Sequence, residues 1–265
     1  MIRATHDDRM YTGGFVEESA GQEEFNARLK QVRMRVDRAA RSAGRDPVEI
    51  CVIAVTKTVA PEGVREAAAR GCRTFGESRV QEAVAKMEAV SGTPGLEWHF
   101  IGPLQSNKIK SIIGRFALLH AIDRVDVAER LQRALQERNM LQPVLLEVNV
   151  SGEPSKHGFS PDTLMEAVLK VANFKNLQMK GFMTIAPAAA SSEDSRRHFR
   201  HLKRLASELE SEKIPGIGTK ELSMGMSGDF ECAIQEGATM VRIGSALFGH
   251  RERPRLSGTR ACPTG

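Results

Sequence analysis

Between residues 49 and 243 the chain alternates short apolar runs with segments of helical periodicity, and this rhythm narrows the fold more than any other feature. The runs are EICVIAV (49–55), RTF (73–75), LEWHFI (96–101), ALLHAI (117–122), PVLLEVNV (143–150), LQMKGFMTI (177–185), KELSM (220–224) and TMVRI (239–243). Helical segments lie near 61–71, 78–90, 105–113, 124–139, 161–173, 192–212 and 229–236. Short apolar runs of this kind read as strands buried on both faces, which requires parallel pairing with helical crossovers. Eight βα units predict an α/β fold, a single (β/α)8 TIM barrel. Phe25, Leu29, Val32, Val36 and Ala40 recur at helical spacing ahead of the first run, so an extra N-terminal helix leads in. An open doubly wound sheet is the alternative, but its usual G-x-G-x-x-G turn is missing from VIAVTKTVAPEG. Pro61 suits a helix start and Gly71 a helix end, while Asp123 and the SSED cluster at 191–194 read as N-caps.

Composition sets the outer limits. With 41% hydrophobic and 27% charged residues the chain is too apolar and too balanced for disorder. Residues 1–20 and 250–265 lack periodicity and read as flexible tails flanking one domain at 21–249, the second tail being basic. Of the net charge of +5, the C-terminal tail holds +3, and no basic stripe with interleaved aromatics remains to suggest nucleic acid. The four cysteines form no CxxC pair and no metal spacing, so buried reduced thiols are expected at Cys51, Cys72 and Cys232. No apolar leader and no membrane-length run is present, and a cytoplasmic protein that avoids membranes is expected.

A barrel of this type carries its site at the C-terminal ends of the strands, with phosphates favouring the loops after strands seven and eight. Those loops read MGMSGD (224–229) and GSALFG (244–249), two Gly/Ser turns opening onto helices. Either they are ordinary βα turns, or Gly225, Ser227, Gly244 and Ser245 form an anion cradle of backbone N–H groups and hydroxyls. Lys57 ends the first strand. It reads as a rim lysine held in solvent, or as a desolvated amine able to form a Schiff base with a carbonyl. Arg242 lies inside the eighth strand between Val241 and Ile243; it either pairs with a carboxylate such as Glu147 or reaches a ligand. Lysine, arginine and two anion turns together describe a phosphorylated carbonyl ligand. His99 reads as a core histidine satisfied by its neighbours. Asn107 and Lys108 face the mouth or cap a helix, and the polar loop SGEPSKHGF (151–159) is placed to cover the site.

The stretches VIAVTK, FGESRVQE, WHFIGPLQSNK, VNVSGEPSKHG, GFMTI, LSMGMSGDFECAI and TMVRIGSALFG resemble the pyridoxal 5′-phosphate (PLP) homeostasis protein family from about Phe25 to Gly249. That family is similar to the N-terminal barrel of alanine racemase, fold type III of PLP proteins. The resemblance implies that Lys57 carries PLP as a Schiff base, that Ser227, Gly244 and Ser245 hold its phosphate, and that Arg242 faces the pyridine nitrogen. A cation there disfavours ring protonation and makes a poorer electron sink. One departure stands out: the family usually has Asn after the Gly-Glu of strand two, where this chain has Ser78.

The resemblance further implies a vitamin B6 carrier: a monomer that holds and delivers PLP, transiently meets apo-enzymes that use it, and has no robust catalysis of its own. The competing reading is a fold-type-III enzyme such as an amino-acid racemase. Racemases of that fold present a tyrosine as second acid/base, and the one tyrosine here is Tyr11 in the leading tail. A Schiff-base aldolase acting on a sugar phosphate is a third reading, opposed by the placement of the lysine on strand one.

Overall fold

The computed structural model describes residues 20–187 and 191–249. Eight parallel strands close into a barrel in strict sequence order, with β1 paired to both β2 and β8. They are β1 (Cys51–Val55), β2 (Thr74–Glu77), β3 (Glu97–Phe100), β4 (Leu118–Ile122), β5 (Gln142–Glu147), β6 (Leu177–Met183), β7 (Glu221–Met226) and β8 (Met240–Ile243). The helices are α1 (Ala20–Ser42), α2 (Pro61–Ala69), α3 (Val80–Ala89), α4 (Ile109–Ile112), α5 (Val125–Gln136), α6 (Pro161–Ala172), α7 (Ser192–Ser211), α8 (Phe230–Gln235) and α9 (Ser245–Phe248). The predicted barrel and its leading helix are therefore both present. The tails expected at 1–20 and 250–265 lie outside the described residues, except for Ala20 at the start of α1.

Pro61 occupies the first turn of α2, and Gly71 follows its C-cap at φ +87°, a conformation open to glycine at little cost. Ser191 and Asp194 form a reciprocal capping box at the start of α7. Asp123 does not cap α5, whose N-cap is Arg124 without a side-chain hydrogen bond. The Asp123 carboxylate instead turns inward, where it is buried 3.3 Å from both His157 and Arg124. Strand lengths also depart from the pattern. β5 stops at Glu147 because Phe159 N–H returns to the Glu147 carbonyl at 2.8 Å, which folds residues 148–150 into the following loop. β2 runs on through Gly76 and Glu77; a Cβ on Gly76 would lie 2.8 Å from Ile53 Cγ2, so the barrel closes there only on glycine.

The strands present two different faces. Outward, Phe75, Phe100, Leu119, Leu146, Phe182, Leu222 and Val241 pack with the helices in one continuous core. Inward, a small separate cluster of Leu118, Ala121, Leu145 and Met183, backed by Met240, fills part of the barrel. The register of β4 on β5 shifts between Leu119 and Ile122, a bulge that turns a strand locally and alters which side chains face inward. Buried His99, His120, Ser223 and Arg242 share this interior. The thiols at Cys51, Cys72 and Cys232 are free, and Cys232 is buried as expected, but Cys51 at the start of β1 and Cys72 in the loop before β2 are only half-buried, against the expectation.

Candidate functional site

The two Gly/Ser turns meet. The N–H groups of Gly244 and Ala246 both donate to Ser227 Oγ at 3.2 Å, which joins the loop after β7 to the start of α9 after β8. The loop after β7 is itself a tight turn: Asp229 Oδ1 accepts from Met226 N–H at 2.7 Å. Gly225 stands at φ +89°, and a Cβ there would fall 2.5 Å from Ala233 Cβ and 3.0 Å from Phe230 Cα. Packing against α8 thus requires glycine at 225, whatever the turn binds. Ser245 is exposed at the start of α9. A hydroxyl oxygen already gathering two backbone donors marks where converging N–H groups can hold an anion.

Lys57 follows β1 on the neighbouring side. A Cβ on Gly244 would sit 3.6 Å from Val55 Cβ, so the anion turn abuts the strand end that carries the lysine. Lys57 is exposed, which matches the first of its two readings, a lysine at the rim. What the fold supplies is a braced backbone next to it. Thr58 adopts φ +63°, costly for a β-branched residue, and is held there by Glu82 Oε1, which accepts its N–H at 2.6 Å. Beneath this turn, Thr56 donates to Glu77 Oε1 at 2.6 Å, and buried Lys86 bridges Glu77 Oε1 at 2.5 Å and the Thr56 carbonyl at 2.7 Å. No motif in the sequence announced this brace; a lysine at helical position 86 reads as a solvent-facing residue. Val55 pairs with Gly76, which sets Ser78 beside Lys57 one strand over. The loop after β3 lies against Ser78 closely enough that a Cβ on Gly102 would meet its carbonyl oxygen at 2.4 Å.

Arg242 is buried, and the first of its two readings, an ion pair with a carboxylate such as Glu147, is not what the described residues form. Its guanidinium donates to Ser223 Oγ at 2.5 Å and to the Thr184 carbonyl at 2.8 Å. Burial lowers its pKa to about 10, which leaves it cationic at neutral pH; Glu147 and Asp229 act on it through the field. His99 is satisfied as expected, 3.0 Å from His120 Nε2 and 3.2 Å from Glu97 Oε1.

Across the barrel from Lys57, Glu147 ends β5. Its pKa rises to about 7, first through burial and then through the neighbouring Asp123 carboxylate, against the opposing pull of Arg242 and His157. Loop 148–160 folds over this end: Lys156 Nζ reaches the Ile185 carbonyl at 3.2 Å, and a cavity of about 170 Å³ lies between Glu147, His157 and Ile185. The loop therefore covers the β5–β6 side of the mouth. Asn107, exposed, and Lys108, half-buried, sit in the single 3₁₀ turn after β3, where neither caps a helix with its side chain. Among the described residues no group of three His, Cys, Asp or Glu is arranged to hold a metal, and no helix is long and apolar enough to cross a membrane.

A barrel with a strand-one lysine, an inward arginine and paired anion turns defines a class, and residues 28–252 match the family model for the alanine racemase N-terminal domain. A PLP homeostasis protein from Aquifex aeolicus is 44% identical over 225 residues, 85% of this chain and 97% of that one. The chain belongs to the pyridoxal phosphate homeostasis protein family. A crystal structure of an unknown protein from Bifidobacterium adolescentis superposes with a TM-score of 0.82 at 34% identity, over 88% of this chain and 98% of that one. PipY from Synechococcus elongatus, solved with PLP bound, gives 0.75 at 35% identity, over 85% of this chain and all 100% of PipY.

Proposed function

We propose that this chain binds PLP reversibly on Lys57 and serves its intracellular storage and delivery rather than a reaction of its own. The observation that carries the reading is the meeting of the two anion turns on Ser227 Oγ, directly beside the strand end that presents the lysine. The residues fit the ligand group by group. The cradle at Ser227, Gly244 and Ser245 suits a phosphate, the Lys57 amine an aldehyde, and Arg242 a ring nitrogen. PLP supplies an electrophilic carbonyl and an electron-withdrawing ring, and Arg242 weakens the second by opposing ring protonation. Ser78 stands where the family usually has Asn, at the end of the strand beside β1, and offers a hydroxyl in its place. An exposed lysine and short flanking loops favour exchange of a held ligand over its sequestration. Relatives carry the name of homeostasis proteins, and PipY was solved with PLP, in line with this reading. A monomer that hands PLP to apo-enzymes completes the proposal, in the cytoplasm and without membrane or nucleic-acid partners.

The purified protein should be yellow, with a visible band that borohydride bleaches while leaving a covalent adduct on Lys57. A Lys57→Ala variant that keeps the same band would sink the assignment. One observation favours testing the racemase-like alternative: Glu147 lies on β5, diametrically across an eight-stranded barrel from β1, with its pKa raised to about 7, the range of a general base. Deuterium exchange at Cα across a panel of amino acids should be negligible. Rapid exchange lost in Glu147→Gln would replace the carrier by an enzyme.

A further inference from the structure

The guanidinium of Arg242 is buried yet touches no carboxylate among the described residues, which is unusual because buried arginines are normally paired. Behind it a file of side chains crosses the barrel interior from strand to strand. Glu97 Oε1 lies 3.2 Å from His99 Nε2, His99 Nδ1 lies 3.0 Å from His120 Nε2, and His120 Nδ1 lies 2.8 Å from Ser223 Oγ. Ser223 Oγ then meets Arg242 Nη1 at 2.5 Å.

The donor at each step follows from the two ends. A carboxylate only accepts, so His99 Nε2 carries a proton. A neutral His99 then accepts at Nδ1, which places the His120 proton on Nε2 and leaves His120 Nδ1 as acceptor. The Ser223 hydroxyl must therefore donate to His120, and its lone pair receives Arg242. Burial lowers both histidines from their ordinary value, and a proton on either His99 or Arg242 beside it would lower His120 further, which agrees with the neutral rings that this bonding pattern requires. Every bond in the file points the same way, from Arg242 down to Glu97.

Resting on the PLP reading above, we infer that Ser223, His120 and His99 are positioning residues. They hold the Arg242 guanidinium by neutral partners alone, so that its charge and remaining N–H groups stay directed at the ring nitrogen of the ligand. A carboxylate in their place would turn the guanidinium aside and cancel its charge. The signal was hidden in the sequence because His99, His120, Ser223 and Arg242 come from four different strands and read singly as buried polar residues.

Ser223→Ala cuts the file next to Arg242 at almost no change in volume, and Ser223→Thr restores the hydroxyl. Dissociation constants should be measured for PLP and for its analogue carrying CH in place of the ring nitrogen, together with the absorption maximum of the bound form. Ser223→Ala should weaken PLP about tenfold, the scale of one lost hydrogen bond to a charged group, and shift the maximum. The CH analogue should change less than about twofold, and Ser223→Thr should restore PLP affinity. Equal loss for both ligands would make the file a packing feature, and no loss for either would make it irrelevant. Either result overturns the inference while leaving PLP binding intact. Wild-type protein that binds the two ligands equally also overturns it, and wild-type protein that binds neither overturns the carrier reading as well.

Discussion

The two sides of the barrel mouth are built on opposite plans. On the β7–β8–β1 side the loops are short, rich in glycine and serine, and lined with donors: Ser227, the Gly244 and Ala246 N–H groups, Arg242 below and Lys57 at the rim. On the β4–β5 side a long loop covers two buried acids, Asp123 and Glu147, and one of the Asp123 oxygens has no hydrogen-bond partner. The first side makes a place for an anion through backbone geometry. The second concentrates negative charge that the fold only partly satisfies, and Glu147 on that side offsets part of the lowering that burial imposes on Arg242. The contrast teaches that the donor side is held rigid by packing while the acid side stores an electrostatic cost.

Two substitutions separate these plans. On the donor side, Gly225→Ala forces a Cβ to 2.5 Å from Ala233 at φ +89°. Overpacking and a left-handed alanine together should cost about 2–5 kcal/mol, measured by denaturant unfolding, with loss of PLP binding. A variant as stable as the wild type would mean that the turn is pliable and the contrast false. On the acid side, Glu147→Gln should act through pH. A folded pKa of about 7 lies above the unfolded value, so the folded state binds the extra proton and wild-type stability falls as pH rises from about 4.5 towards 7. The amide removes that dependence. It should leave stability near pH 4 unchanged and raise it by up to about 3 kcal/mol at pH 8, read as a divergence between the two stability–pH curves. Parallel curves would show that Glu147 is ionised at no cost.

The same contrast explains what could be read from the chain. Alternation of apolar runs and helices is local, so the barrel, its leading helix and a helix start in the SSED cluster were all visible in order. Gly/Ser turns and a strand-end lysine are also local, and the donor side followed from them. The acid side depends on Asp123 and Glu147 approaching across two strands, so Asp123 looked like an N-cap and Glu147 like one choice of carboxylate for Arg242. Nor could residue order show that Lys86 turns inward to Glu77, or that a bulge in β4 disturbs which of its residues face the barrel interior. Pairings made by tertiary approach leave no spacing to count.

The smallest expected effect tests whether strain belongs to the donor side's design. Thr58 is β-branched at φ +63° immediately after Lys57, a conformation that costs a non-glycine residue about 1–2 kcal/mol. Glycine relieves that cost but gains freedom in the unfolded chain, which offsets about 0.5–1 kcal/mol. Thr58→Gly should therefore be more stable than wild type by up to about 1 kcal/mol, a gain visible as a small rise in denaturation midpoint. PLP affinity should move the other way, because the turn that follows Lys57 is then free to open away from Glu82. A gain in stability with a loss in affinity marks strain retained for placing the lysine. If affinity holds while stability rises, the left-handed threonine contributes nothing to the site, and the direction of Lys57 rests on the Thr56–Glu77–Lys86 brace alone.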